Sequence, residues 1–446
     1  MSVLRNRLVF LVVATTLAIA CTEKLDSGTA CPALCPVEQL GISDTTIEGV
    51  AFDSTVGRFP VLGAEAQIPL VTREDGSLDV RAALRFDSLP ITYKSKATPV
   101  PPDTIDSIAF VDSSKLSFFV DTTIARLADS ITFGAFDIDT IGIADTATGP
   151  LAALYRADRL LGSARFSRAR LGDTAALVIR LDDAKVLAKI RTSRRLRIGL
   201  RLLETRNLTV PFRTTNGSTG AVLSFRPSRI ATGPTPADSV SPLARSTLSG
   251  TPEDDFTAAG LLRDYAVIVR GTPPPPPRVI SVGGLPAARG YLRFDIPRRL
   301  LDSTQIVRAT LRLTQLRSPT ALPGDSLTIA FWMGTASARV QDVALAAAFH
   351  ESLVQLQDGS FIYGVANVRP KTYATIDSAT RTIEVAGLLR AWFKVDPADR
   401  PHALIVQSFT EGTRPLELRF ASREAAAALR PALQITYVPR ATAGVP

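Results

Sequence analysis

Apolar residues recur at every second position in short stretches along most of this chain, and each stretch ends at Asp, Gly, Pro or Ser. In Gly290-Tyr-Leu-Arg-Phe-Asp295 and Arg430-Pro-Ala-Leu-Gln-Ile-Thr-Tyr437 the alternation places one set of side chains on a single face. Arg195-Leu-Arg-Ile-Gly-Leu-Arg-Leu202 does the same with leucine and isoleucine opposite arginine. A period of two predicts strands, and long runs of period 3.6 are missing, so the chain reads as all-β. Many short strands punctuated by turn residues predict sandwiches.

The strands fall into two blocks of similar plan. Ala83-Leu-Arg-Phe-Asp87 echoes Tyr291-Leu-Arg-Phe-Asp295. Ile108–Val120 is then matched by Val307–Leu313, Ile131–Phe136 by Leu327–Trp332, Arg197–Leu202 by His402–Val406, and Ala221–Phe225 by Leu416–Phe420. Between the blocks, 231–242 is rich in Pro, Thr and Ser and reads as a linker. Pro273–Pro277 cannot join a ladder and reads as a stiff loop ahead of Val279. The expected organisation is two tandem β-sandwiches, at 46–230 and 243–440.

The N-terminus sets the expected compartment. Arg5 and Arg7 precede an apolar run, Leu8–Ala20, too short to span a bilayer as a helix. Leu17-Ala-Ile-Ala20 followed by Cys21 resembles a bacterial lipobox. The resemblance implies a signal peptide at 1–20, cleavage before Cys21, acylation of that cysteine and a lipidated tether at 21–45. Thr22 stands where an inner-membrane retention aspartate would be, which points to an outer-membrane lipoprotein on the periplasmic face or cell surface. Cys31 and Cys35 remain, and in an oxidising compartment they suit a small disulfide-closed loop.

The second block resembles the DNRLRE-type domain, a jelly roll related to carbohydrate-binding modules. The resemblance rests on Ser281-Val-Gly-Gly284, Tyr291–Asp295, Ala309–Leu313, Val385–Trp392, Phe420-Ala-Ser-Arg-Glu424 and Pro431–Tyr437, in that order. It spans roughly 250 to 440 and implies a jelly-roll fold and an extracellular polysaccharide-related role. Trp392 would pack in the core, and Arg423 and Glu424 would form an internal ion pair between strand ends.

Composition narrows the chemistry. Hydrophobic content of 46% is enough for real cores. Removing Arg5 and Arg7 with the leader lowers the +9 net charge to +7. That excess is arginine scattered through strands without a nucleic-acid motif, so no nucleic-acid partner is expected. The chain has two histidines, His350 and His402, and no Gly-x-Ser-x-Gly elbow, so catalysis finds little support. Two thiolates with no nearby histidine make half a zinc shell, and neither metal nor cofactor is expected. Asp137, Asp139 and Asp145 read as turn and strand-end residues, with calcium as the competing reading.

Candidate ligand contacts are Arg195, Arg197, Arg201 and Tyr373. The arginines share one strand face and could grip uronate or phosphate groups by bidentate hydrogen bonds. The competing reading is a solvated outer face paired with acids on neighbouring strands. Tyr373 lies in a polar, Pro-containing segment where an aromatic face could stack on a sugar ring. The expected protein is therefore a lipid-anchored envelope protein with non-catalytic binding domains for a glycan or acidic polysaccharide. The alternative is a structural or assembly lipoprotein that contacts other envelope proteins and binds no sugar.

Overall fold

Alternation does produce strands. The structure, a computed structural model, describes residues 41–48, 50–59, 66–95, 104–123, 125–140, 142–144, 147–215, 220–228, 244–247, 263–318, 320–322, 327–334, 363–368, 380–392, 403–408 and 411–440. The first strands are β1 (Ser43–Ile47), β2 (Val50–Phe59), β3 (Gln67–Thr72), β4 (Asp79–Phe86), β5 (Thr92–Ser95), β6 (Thr104–Ser107) and β7 (Phe110–Phe118). Then come β8 (Ser130–Asp137), β9 (Leu160–Ser167), β10 (Leu177–Arg180), β11 (Leu196–Leu202), β12 (Leu208–Arg213), β13 (Val222–Ser228), β14 (Ala244–Thr247) and β15 (Asp264–Arg270). The remainder are β16 (Val279–Gly283), β17 (Ala287–Phe294), β18 (Thr304–Leu316), β19 (Leu327–Gly334), β20 (Tyr363–Val368), β21 (Thr380–Glu384), β22 (Ala403–Ser408), β23 (Glu417–Ala421) and β24 (Ala432–Pro439). The protein is all-β, with its strands in antiparallel sheets packed as sandwiches.

One strand order occurs twice. A seven-stranded sheet runs β12-β3-β4-β11-β8-β9, with β15 added on β4. Within an eleven-stranded sheet, the run β23-β16-β17-β22-β19-β20 has the same form, with β2 added along β17. The facing layers match as well: β10-β7-β13-β14 in the first half, and β21, β18, β24 and β1 in the second. The Leu-Arg-Phe motifs occupy equivalent strands, β4 and β17. The closing strands correspond differently from the sequence expectation, because Leu416–Phe420 takes the place of β12 and Ala221–Phe225 that of β24. Alternating strands look alike locally, and only their hydrogen-bonded neighbours distinguish them.

Sheet membership also cuts across the expected boundaries at 46–230 and 243–440. β14 and β15 complete the first half, β14 on β13 and β15 on β4. β1 and β2, which precede everything else, complete the second half on β24 and β17. Side chains fasten this closure. The Ser281 amide donates to Thr55 Oγ1 at 2.9 Å, and the Arg423 amide to Asp53 Oδ2 at 2.6 Å. Arg423 is thus tied to β2 through Asp53, the guanidinium lying 3.9 Å from its carboxylate. The expected linker at 231–242 lies outside the described residues.

The cores follow the pleat. Val80, Ala82, Leu84 and Phe86 of β4 join Ile198, Leu200 and Leu202 of β11 in the first core, where Phe118 sits 5.4 Å from Phe133 and 5.9 Å from Phe212 between ring centroids. Burying each such ring contributes roughly 1.5–3 kcal/mol. Ile280, Val282, Leu292, Phe294, Leu311, Leu418 and Phe420 form the equivalent core of the second half. The longest helix among the described residues, Asp183–Thr192, escaped the period-two reading. Asp182 caps it by accepting from the Ala184 and Lys185 amides, and Val186 and Ile190, four apart, are its buried residues. Pro273–Pro277 forms the irregular link into β16, as its composition predicts.

Candidate functional site

The arginine row of β11 lies on the face of the seven-stranded sheet that points away from the first core. Arg81 and Arg85 of β4 lie on that same face, since Arg197 pairs with Arg85 and Gly199 with Ala83 across the ladder. The expectation of a solvated outer face does not hold, for Arg197 is only 1% exposed and Arg195 is 8% exposed. A second layer covers them. Leu151 of α1 (Thr148–Ala152) and Tyr155 pack with Ile138 onto the sheet's own outward side chains Phe136, Tyr265 and Val267. Gly199 makes room for this lid, because a Cβ at that position would meet the Tyr155 ring at 2.5 Å.

The covered guanidinium groups bond to the protein itself. Arg195 Nε donates to Asp139 Oδ1 at 2.9 Å, and Lys189, from the capped helix, bridges Asp137 and Asp139 at 3.1 and 3.2 Å. Arg159 adds a third cation 3.5 Å from Asp137. Arg197 reaches the Ile143 carbonyl at 3.4 Å, and Arg201 reaches that of Tyr155 at 3.4 Å while lying 5.1 Å from the Phe136 ring centre. Burial, and then the nearby Arg81, pull the Arg201 guanidinium below its ordinary range. Arg81 chelates Asp79 at 2.6 and 3.0 Å and stands 4.7 Å over the Tyr155 ring, whose hydroxyl donates to the Ala82 carbonyl at 2.9 Å. Burial pushes the Tyr155 phenol well up. This is a buried polar layer between a sheet and its lid, where each charge requires a partner. Asp137 and Asp139, weighed above for calcium, serve these cations. Asp145, Tyr373, His350, His402, Cys21, Cys31 and Cys35 lie outside the described residues, and Trp332 and Trp392 are placed in β19 and in the helix Ala386–Trp392 by backbone alone.

The second half holds a smaller buried polar cluster that sequence reasoning missed. Ser281 Oγ donates to Glu417 Oε1, and Arg419 Nε donates to Glu417 Oε2 at 3.1 Å. Glu417 is 1% exposed, and burial pushes its carboxyl up to about 7 against the pull of Arg419. Arg289 Nε donates to both oxygens of Glu411, at 2.8 and 3.0 Å. The signal available in the sequence was parity. Glu417 and Arg419 alternate with Leu418 and Phe420 of the core, so they share the opposite face of β23.

A solvent-facing recess of about 300 Å³ opens at one end of the seven-stranded sheet, lined by Arg73, Glu74, Asp75, Ser77, Asn207, Thr320 and Leu322. Its rim is the β3–β4 turn, which closes through the Gly76 amide on the Arg73 carbonyl at 2.9 Å and needs glycine at φ 66°. Asp75 Oδ1 accepts from the Ser77 amide at 2.9 Å, and the Glu74 amide donates to Asn207 Oδ1 at 3.2 Å. The Arg73 guanidinium is drawn inward, donating to the Leu208 carbonyl at 2.9 Å and to Thr209 Oγ1 at 3.2 Å. Thr320 comes from the stretch after β18 and is 7% exposed. Nothing in the local sequence joins these three segments.

Fold and site together define an all-β sandwich protein with a small solvent-facing recess. No family model matches the chain, and no curated protein matches it. Among solved structures, one of infectious bursal disease virus, Gt strain, aligns at 9% identity over 91% of this chain and 78% of that one, with a TM-score of 0.10. The VP2 subviral particle of the same virus aligns at 10% identity over 89% and 76%, with a TM-score of 0.11. At these scores neither likeness carries an argument.

Proposed function

We propose that this chain is a lipid-anchored bacterial envelope protein, held in the outer membrane through acylated Cys21, whose β-sandwich halves bind a glycan without transforming it. The observation that carries the reading is the recess of about 300 Å³, where polar side chains from three separate segments converge beside Leu322. Its size is at the lower end of ligand sites, and a few convergent polar groups are what orient a ligand. The resemblance of 250–440 to a DNRLRE-type domain supports the same reading. Among the described residues no helix is long and apolar enough to cross a membrane. The test is a glycan array probed with the soluble form lacking residues 1–21. Retention of one or more polysaccharides is expected, and absence of binding to any neutral or acidic glycan at high protein concentration would sink the reading.

The alternative, a protein-contacting assembly lipoprotein, draws on a different feature. Ile91 and Ile105, around the β5–β6 hairpin, are 46% and 70% exposed, and Phe110 at the start of β7 is 36% exposed. Exposed large apolar side chains on and beside one hairpin are the kind of surface a protein partner can cover. Replacing Ile105 with Ser would weaken envelope cross-links under that reading and leave glycan binding untouched.

A further inference from the structure

We propose that the recess beside the β3–β4 turn receives a single uncharged sugar ring and rejects uronates. The proposal rests on the glycan-binding reading above and adds the ligand class and the residues that select it. Volume is the first ground: about 300 Å³ suits one ring rather than a run of several.

Charge is the second. Glu74 and Asp75 are adjacent exposed carboxylates on the rim. Hydrogen bonds from Ser77 hold the Asp75 carboxyl below its ordinary range, so it remains an anion. Arg73 would be the natural counter-charge for an acidic ligand, but its guanidinium is directed to the Thr72 and Leu208 carbonyls and the Thr209 hydroxyl. An entering carboxylate therefore meets two like charges, and the cation it would need already serves β12. A neutral polyol meets acceptors that suit its hydroxyl donors.

Donors complete the set. Asn207 Oδ1 accepts the Glu74 amide, which fixes the orientation of the side-chain amide and leaves the Nδ2 hydrogens for a ligand oxygen. The Thr320 hydroxyl is buried without a hydrogen-bond partner, and a rotatable O–H on the recess wall gains a partner when a sugar hydroxyl arrives. Among the described residues that line the recess, the polar contacts available to a ligand are hydrogen bonds.

Ligand-observed NMR on the soluble form lacking residues 1–21 tests this, with methyl glycosides of neutral hexoses and pentoses set against methyl glucuronide and methyl galacturonide. Saturation transfer to a neutral glycoside and none to the uronides is expected. Asn207→Ala should weaken binding roughly fivefold, the loss of about one neutral hydrogen bond. Glu74→Gln, an exposed and isosteric change, removes one of the two rim charges and should narrow the preference for neutral glycosides over uronides. Unchanged melting of each variant separates a binding effect from misfolding. If the wild type binds glycans and both variants bind identically, the recess is overturned while the glycan reading stands. Preference of the wild type for uronides overturns the charge selection. Absence of all glycan binding overturns both proposals.

Discussion

Glu417→Gln isolates a single buried titration. The Glu417 carboxyl lies between Ser281 and Arg419 on a strand whose other face is core, and burial raises it from an ordinary 4.5 to about 7. A carboxyl whose folded-state pKa is raised holds its proton in the fold at a pH where the unfolded chain has released it. Its contribution is therefore fully present below about 4.5 and is lost as pH rises through about 7. At about 1.4 kcal/mol per pH unit, the rise corresponds to about 3 kcal/mol between these limits. Glutamine keeps the shape and cannot ionise; its oxygen can accept from Arg419 Nε, while its Nε2 donates to a Ser281 hydroxyl that turns to accept. Urea unfolding of the soluble form lacking residues 1–21, at intervals from pH 4.5 to 8, should show the wild type losing about 3 kcal/mol that Glu417→Gln does not lose. Asp53 and Asp264 are also raised by burial and contribute in the same direction, but equally in both proteins. Parallel pH profiles for wild type and variant would refute the assignment of a protonated Glu417.

Two further outcomes follow from the strand order and the leader. The segment 243–440 alone lacks β1 and β2, leaving the edges of β17 and β24 open, and it is expected to aggregate or lack cooperative unfolding; a monomeric segment 243–440 with a sharp denaturation transition would refute the closure. Radiolabelled palmitate should label the full chain and not Cys21→Ala, and undiminished labelling of that variant would contradict the lipid anchor.

Much of the site was legible only in part. The sequence placed Arg195, Arg197 and Arg201 on one face opposite leucine and isoleucine, and that parity holds. It could not show that α1 and the residues around Tyr155 cover this face, because the cover arrives from another segment and its packing depends on Gly199 lying under the ring. The recess was not legible at all, since Asn207 reaches the β3–β4 turn through β12–β3 pairing and Thr320 arrives from the stretch after β18, and neither follows from spacing.

Alternation by itself determined that the chain is all-β and which face of each strand enters the core. A pleated strand sends successive side chains to opposite sides, so this information is local. Tertiary structure alone decided which strands are neighbours. Backbone hydrogen bonds are the same for any alternating segment, so nothing local says that β1 and β2 close the second half or that β14 and β15 close the first. It also decided that the arginine face is buried, because burial depends on what packs against a face as well as on what the face displays.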